Sequence, residues 1–179
     1  MGVLAGWRSC PRCGAELEHR EGAVECAACG FVHYANPVPA VSAFVVDEDG
    51  RLLLARRARE PDAGLWDTPG GFLDEGEEPE AALRRELREE AGVEIELGAF
   101  LGIRPDRYGD GENAPYVLNL VWEARIVSGE LEPADDVSEL RWFARDELPS
   151  DAEVAFSWLA PALREWSRKT EGPASRPDG

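Results

Sequence analysis

Basic residues are scarce in this chain. It has 19 Lys and Arg against 36 Asp and Glu, a formal net charge of -17 over 179 residues. Non-specific nucleic-acid binding draws on basic surface that displaces counterions from phosphates, so no nucleic-acid partner is expected. The same balance speaks against an anionic membrane surface. Long apolar runs are missing too. No stretch approaches ~20 residues, so no membrane-spanning helix is expected. Met1 to Arg12 holds no apolar run of the length used by a signal peptide. There is no internal repeat and no long low-complexity tract. Cysteines number only 4, in two close pairs. That pattern suits a metal site in a reducing compartment better than disulfides, and a cytoplasmic location is expected.

What is present supports a folded core, since 44% of residues are hydrophobic and 31% charged. All the cysteines lie before Tyr34, and Asn36-Pro37-Val38-Pro39 reads as a stiff linker. Ala40 to Val46 is expected as a buried strand. After a turn at Asp47-Glu48-Asp49-Gly50 the chain returns as Arg51 to Arg56, giving a hairpin. Arg57 to Asp67 and Thr68 to Gly71 are expected as loops. Pro79 suits the first turn of a helix and Gly92 the position just past its end. Val93 to Ile103 is expected to be extended, Arg104 to Pro115 a loop, and Tyr116 to Val127 and Leu140 to Phe143 strands. Ala152 to Arg168 has Phe156, Leu159, Leu163 and Trp166 near helical spacing, with Pro161 as a kink. Strands before and after one central helix, with a second helix at the end, give an α+β fold, a sandwich of mixed sheets rather than repeating βαβ units.

Cys10-Pro11-Arg12-Cys13-Gly14 and Cys26-Ala27-Ala28-Cys29-Gly30 are two C-x-x-C-G knuckles. Two residues between cysteines let both thiolates face one ion, and the glycine allows the tight turn around it. Together the pairs complete a closed four-sulfur shell for a structural Zn²⁺. Disulfides or free thiols are the alternative. His33 is a spare ligand or, more simply, a packed surface residue. Residues 1–35 are therefore expected as a zinc ribbon, 36–170 as the main domain and 171–179 as a disordered tail.

The chemistry concentrates between Gly71 and Val93. Glu86 and Glu90 are four apart, and Glu89 lies three from Glu86, so all three share a helix face. Like charges near a helix C-terminus repel each other and oppose the dipole, a cost that a bound cation removes. Carboxylate oxygens suit Mg²⁺ or Mn²⁺. Glu77 is placed either to add an oxygen or to pair with Arg85. An exposed helix laced with ion pairs is the bland alternative. The segment matches G-x5-E-x7-R-E-U-x-E-E-x-G-U, with U aliphatic, at all 9 defined positions over 23 residues. It thereby resembles the Nudix hydrolases, as does the preceding Gly64-Leu65-Trp66-Asp67-Thr68-Pro69-Gly70-Gly71.

That resemblance implies an α/β/α sandwich with a loop–helix–loop between mixed sheets, and a Mg²⁺-dependent cut in the diphosphate linkage of a nucleoside diphosphate derivative. It implies Glu86 and Glu90 as principal metal ligands. Glu89 and the Gly71 carbonyl are further ligands, and Arg85 orients the glutamates. The base is Glu86, Glu89 or an acid before Trp142, with Asp136 as the candidate there. A ribbon ahead of such a domain resembles the NADH pyrophosphatases, and ADP-ribose pyrophosphatases are the other comparison. The S-Q-P-W-P-F-P type signature of the former is replaced here by Phe100-Leu101-Gly102-Ile103-Arg104-Pro105. Trp66, Phe72 and Tyr108 are candidates for stacking on a base, and Arg104 and Arg107 for meeting phosphates. The expected partner is a small nucleotide substrate, with room for a homodimer. A nucleotide-binding sensor with the ribbon as an interaction module is the competing reading, and retention of every box glutamate favours the enzyme.

Overall fold

The computed structural model describes residues 2–168. The expected tail, 171–179, lies outside the described residues. The first 35 residues carry their own small core of Leu4, Cys10, Leu17, Val24 and Cys26. Three short strands, β1 (Glu18–Arg20), β2 (Ala23–Glu25) and β3 (Val32–Tyr34), form an antiparallel sheet in chain order. Among the described residues no helix is long and apolar enough to cross a membrane.

Beyond this ribbon stand two three-stranded sheets. The first has the order β4-β8-β7, from β4 (Val38–Val45), β8 (Tyr116–Gly129) and β7 (Val93–Arg107). The second has the order β6-β5-β9, from β6 (Trp66–Asp67), β5 (Leu52–Arg57) and β9 (Val137–Phe143). β4 runs parallel to β8, and β7 antiparallel to it, so the first sheet is mixed.

The expected β4–β5 hairpin is not formed. The two strands lie in different sheets, joined across the turn only by a Val46–Leu52 bridge. Both runs are buried residue after residue rather than in alternation. Such runs need cover on both faces, which a two-stranded ribbon does not supply. Two other expectations also need revising. β7 continues to Arg107, four residues beyond the expected end, because its pairing with β8 carries it through three bulges. The C-terminal helix α2 is Leu159–Arg168, preceded by a single 3-10 turn at Asp151–Glu153. Pro161 therefore falls in the first turn of α2, where its missing N–H is tolerated and no kink is required.

The helix α1 is Pro79–Ala91. Pro79 opens it, and Gly92 closes it at φ 69, donating its N–H to the Arg88 and Leu87 carbonyls. Ala82, Leu83, Leu87 and Ala91 are fully buried against Val41, Ala43 and Val45 of β4 and Leu53 of β5. The opposite side of β4 presents Phe44, which packs with Leu52, Leu54, Trp158 and α2. Sheets between two helices make the α/β/α sandwich. The apolar face of α1 is what sets its other face, with Glu86 and Glu90, toward the loop Pro69–Phe72.

Candidate active site

A cleft of about 330 Å³ opens beside α1. Its lining includes Glu86, Glu90, Gly70, Gly71, Phe72, Arg85, Tyr108 and Asp136 from the sequence reading. Glu90 is only 7% exposed and accepts the Gly70 N–H at 2.9 Å. Gly70 itself sits at φ 144, with the Val41 carbonyl where a Cβ would be. Next to it, the Glu86 carboxylate occupies the space beside Gly71 that any side chain there would need. The glycine pair thus lets backbone and carboxylates converge.

Burial pushes the Glu90 carboxyl well above the usual range, and the neighbouring Asp136, Glu86 and Asp67 add to the rise against the Gly70 hydrogen bond. Burial likewise raises Glu86, against the pull of Arg85. One buried and one half-buried carboxyl, both raised and lining one cleft, are a fitting place for a hard cation. The donor set present is carboxylate oxygens plus the Gly71 carbonyl, whose oxygen accepts the Val41 N–H at 2.9 Å and keeps a second lone pair.

Arg85 ties the loop to the helix. Its Nε and Nη2 donate to the two oxygens of Glu77 at 2.9 and 2.8 Å, its Nη1 to Glu86 and Glu89 at 2.8 and 3.0 Å, and its Nη2 to the Phe72 carbonyl at 3.1 Å. The hydrogen bonds from Arg85 hold the Glu77 carboxyl down at about 2. Of the two roles open to Glu77, the structure shows the pairing with Arg85: both its oxygens accept from the guanidinium, and it does not line the cleft. Glu89 stands outside the cleft lining, its side chain 50% exposed.

Asp136 arrives from the loop before β9. That loop is fastened to the end of α1 by Ala134 N–H to the Glu90 carbonyl and Glu132 N–H to the Ala91 carbonyl, at 3.0 and 3.2 Å. Asp135 takes φ 52, a left-handed turn that non-glycine residues rarely adopt, directly before Asp136.

Aromatic rings wall the cleft elsewhere. Phe72, 39% exposed, meets Tyr108 edge-on with centroids 5.1 Å apart, and Tyr108 lies over Phe156 at 5.9 Å. Arg57 donates to the Tyr108 hydroxyl at 3.1 Å and to Asp67 at 3.4 Å. Burial pushes Asp67 up to about 6 despite that cation.

Two expected substrate contacts are not in this cleft. Trp66 is buried edge-on against Phe143 in the second core, because alternation along β6 turns it away from Asp67. Arg104 donates to the Leu101 carbonyl and lines a separate shallow depression with Phe44 and Trp166, while Arg107 does reach the cleft. The sequence reading missed Arg57, Asp67, Asn119 and Phe156. Its spacing places Phe156 on the C-terminal helix, which starts only at Leu159. Phe156 is instead placed by a Trp66–Val154 bridge and the Ala155 N–H to the Trp66 carbonyl. Asn119 had a visible signal, as the one amide in an apolar strand.

In the ribbon the four cysteine ligand atoms lie within 4.8 Å of one another. Cys10–Cys29 and Cys13–Cys26 sulfurs are 3.6 and 3.5 Å apart. That is far beyond a disulfide bond and close to the roughly 3.8 Å edge of a Zn–S tetrahedron. The set fits structural zinc. His33 is not part of it and stacks on Trp7 at 4.9 Å.

Comparison with known proteins agrees with this architecture. The chain is 34% identical over 146 residues to an NAD-capped RNA hydrolase, NudC, of Stutzerimonas stutzeri, covering 80% of this chain and 50% of that protein. It is 34% identical over 118 residues to an ADP-ribose pyrophosphatase of Methanocaldococcus jannaschii, covering 65% and 67%. The chain spans about half the length of the NudC relatives it matches. A solved NUDIX hydrolase from Nitrosomonas europaea superposes with TM-score 0.73 at 25% identity, covering 89% of this chain and 90% of that one. A MutT NUDIX hydrolase from Burkholderia pseudomallei gives TM-score 0.62 at 32% identity, covering 73% and 98%. The NUDIX domain family model matches residues 36–166, and with the box, the sandwich and the carboxylate cleft in place, the chain belongs to the Nudix family.

Proposed function

We propose that this chain is a Mg²⁺- or Mn²⁺-dependent hydrolase that cuts the diphosphate linkage of a nucleoside diphosphate derivative, ADP-ribose or an NADH-like dinucleotide first. The products are a nucleoside monophosphate and a phosphorylated moiety. One observation carries this reading. Glu86, Glu90 and Asp136 line the same cleft as the aromatic wall of Phe72, Tyr108 and Phe156. The two relatives described above act, by their names, on NAD-capped RNA and on ADP-ribose. Both substrates contain a nucleoside diphosphate, the part common to what such a cleft accommodates.

In this reading Glu86, Glu90 and the Gly71 carbonyl hold the cation, with Glu89 completing the set from the rim. When bound, the cation supplies neutralisation of diphosphate oxygens and a more acidic water. Arg85 fixes the glutamates before substrate arrives, so no reorganisation is spent at the moment of reaction. Asp136, or failing it Glu86 or Glu89, takes the proton of the attacking water. The new P–O bond forms at one phosphorus, the bond to the bridging oxygen breaks, and the second phosphate leaves. Phe72 and Tyr108 receive the base, and Arg107 meets phosphate. The ribbon holds one structural Zn²⁺ on Cys10, Cys13, Cys26 and Cys29, which suits the reducing cytoplasm. Residues 1–35 and 36–170 are taken as separate domains, and this reading leaves room for a homodimer.

The test is a panel of nucleoside diphosphate derivatives incubated with and without Mg²⁺, followed by product analysis. Metal-dependent release of nucleoside monophosphate, lost in Glu86→Gln, is expected. Binding without turnover of any substrate would replace the enzyme by a sensor.

A further inference from the structure

Asn119 is an odd residue for its place. It sits on β8 between Leu118 and Leu120, is 8% exposed, and lines the cleft. Its Oδ1 accepts the Ser42 hydroxyl at 2.9 Å, from a serine that is itself buried. That bond uses the acceptor end of the amide and turns the donor end, Nδ2, elsewhere. Among the described residues none accepts from Nδ2, and none of their buried side-chain nitrogens or oxygens lacks a partner. Nδ2 is therefore not sealed inside the wall, and the residue that carries it lines the cleft.

The strand register says what it faces. Asn119 pairs with Ala40 on β4, and Ala40 bridges to Phe72 on the glycine loop. Cross-strand neighbours project from the same sheet face, so Asn119, Ala40 and Phe72 form one rung. Two strand spacings of about 4.8 Å separate the outer backbones by roughly 10 Å. Between them stands only the Ala40 methyl. Ser42, two residues along β4, is on the same face and reaches Asn119 diagonally. Phe72 is held twice: its backbone bridges to Ala40 and its carbonyl accepts from Arg85. The arrangement is a slot with a small floor, a ring on one side and an oriented N–H donor on the other.

We propose that Asn119, oriented by Ser42, is a specificity-determining residue that donates a hydrogen bond to an acceptor atom on the edge of the heteroaromatic ring seated over Ala40. It rests on the nucleotide-hydrolase reading, which it extends from the diphosphate to the base. The ring is one presenting a carbonyl oxygen or unprotonated ring nitrogen toward β8. Ser42 is a positioning residue, acting through the amide. A site built to donate to its ligand rejects one that offers only a donor there, since the amide is then left without a partner.

Two measurements on the full chain test this. In the first, steady-state hydrolysis with Mg²⁺ is followed for ADP-, GDP-, UDP- and CDP-linked sugars. Asn119→Asp, which keeps the shape and replaces the donor by an acceptor, should raise KM for the preferred base roughly tenfold or more with little change in kcat, and alter the order of bases. Asn119→Ser should flatten the order. Ser42→Ala should cost only a few-fold in KM, with rescue by Ser42→Thr. In the second, binding of AMP, GMP, UMP and CMP is titrated without divalent ions, so that base recognition is read apart from hydrolysis. If the wild type hydrolyses nothing, the enzyme reading falls while the mononucleotide titrations still decide the role of Asn119. Unchanged base order and KM within twofold in both Asn119 variants, or no mononucleotide binding by the wild type, would overturn the proposal. Should Asn119→Asp fail a thermal-melt check of folding, Asn119→Ser decides it.

Discussion

A Cβ built on Gly71 would stand 2.5 Å from the carboxyl carbon of Glu86. No methyl group fits there unless the carboxylate moves. Gly71→Ala is expected to leave the fold standing, because the clash is with the end of one side chain. Displacing a reacting group by about 1 Å can cost on the order of 10²-fold in rate. Comparison of Mg²⁺-dependent hydrolysis and thermal unfolding of the two proteins checks this. Full activity in the alanine variant would mean that Glu86 need not stand where it does.

Arg85 spans Glu77, Glu86, Glu89 and the Phe72 carbonyl through one guanidinium. A lysine has the charge but not the fork, so Arg85→Lys leaves several of these oxygens without a donor. Loss of charge-assisted bonds at this half-buried position is expected to cost about 2 kcal/mol. For a chain of this size that lowers Tm by roughly 4–8 °C. Hydrolysis should fall by more than stability implies, because Phe72 and the glutamates lose their common anchor. Calorimetry and kcat on the same preparation separate the two effects.

The ribbon is expected to stand or fall with its metal. Its core residues Leu4, Leu17 and Val24 make a separate cluster from the two that hold the sandwich. Cys26→Ser should abolish zinc binding, and limited proteolysis should then cut within residues 1–35 while 36–168 survives. Metal analysis of the wild type should return about one zinc per chain. Two disulfides found by mass spectrometry would contradict the assignment.

The parts of this structure legible in the sequence are those fixed by local backbone chemistry or by spacing. Pro79 and Gly92 bound α1 because each acts on its own φ and hydrogen bonds. The four cysteines cluster because two knuckles leave little freedom. What the sequence hid is set by pairing across long separations. β4 joins Val117–Ala124 rather than β5, and nothing in Ala40–Val46 says so. Whether Trp66 or Phe156 faces the cleft depends on which side of β6 the Val154 segment docks. Glu77 is ambiguous for a different reason: a carboxylate at that spacing serves a cation or Arg85 equally well, and only the folded chain shows the guanidinium on both its oxygens.

Glu90 supplies the sharpest test, because its burial makes opposite demands on stability and on chemistry. Its carboxyl is raised well above the usual value by burial, with Asp136, Glu86 and Asp67 adding to the rise, and Asp67 is raised to about 6. In the unfolded chain both ionise at ordinary values. The folded state thus holds more protons over the interval between, and stability falls as pH climbs from the unfolded value through the folded one. For Asp67 that interval runs from 3.8 to about 6, and for Glu90 it begins near 4.5 and extends upward. Without added divalent ions the protein should melt at a higher temperature at pH 5 than at pH 7.5. Added Mg²⁺ should raise the pH 7.5 value by binding the ionised form. In Glu90→Gln the buried charge is gone while the amide oxygen can still accept the Gly70 N–H. That variant should be as stable as the wild type or more so at pH 7.5 without metal, show a shallower pH dependence, gain less from Mg²⁺, and lose most hydrolysis. Melting curves at both pH values, with and without Mg²⁺, read the first three quantities, and the Mg²⁺-dependent hydrolysis assay reads the fourth. A variant that melts earlier than the wild type in metal-free buffer at pH 7.5 would show that the Glu90 carboxylate is held for stability, and not against it for the sake of a cation.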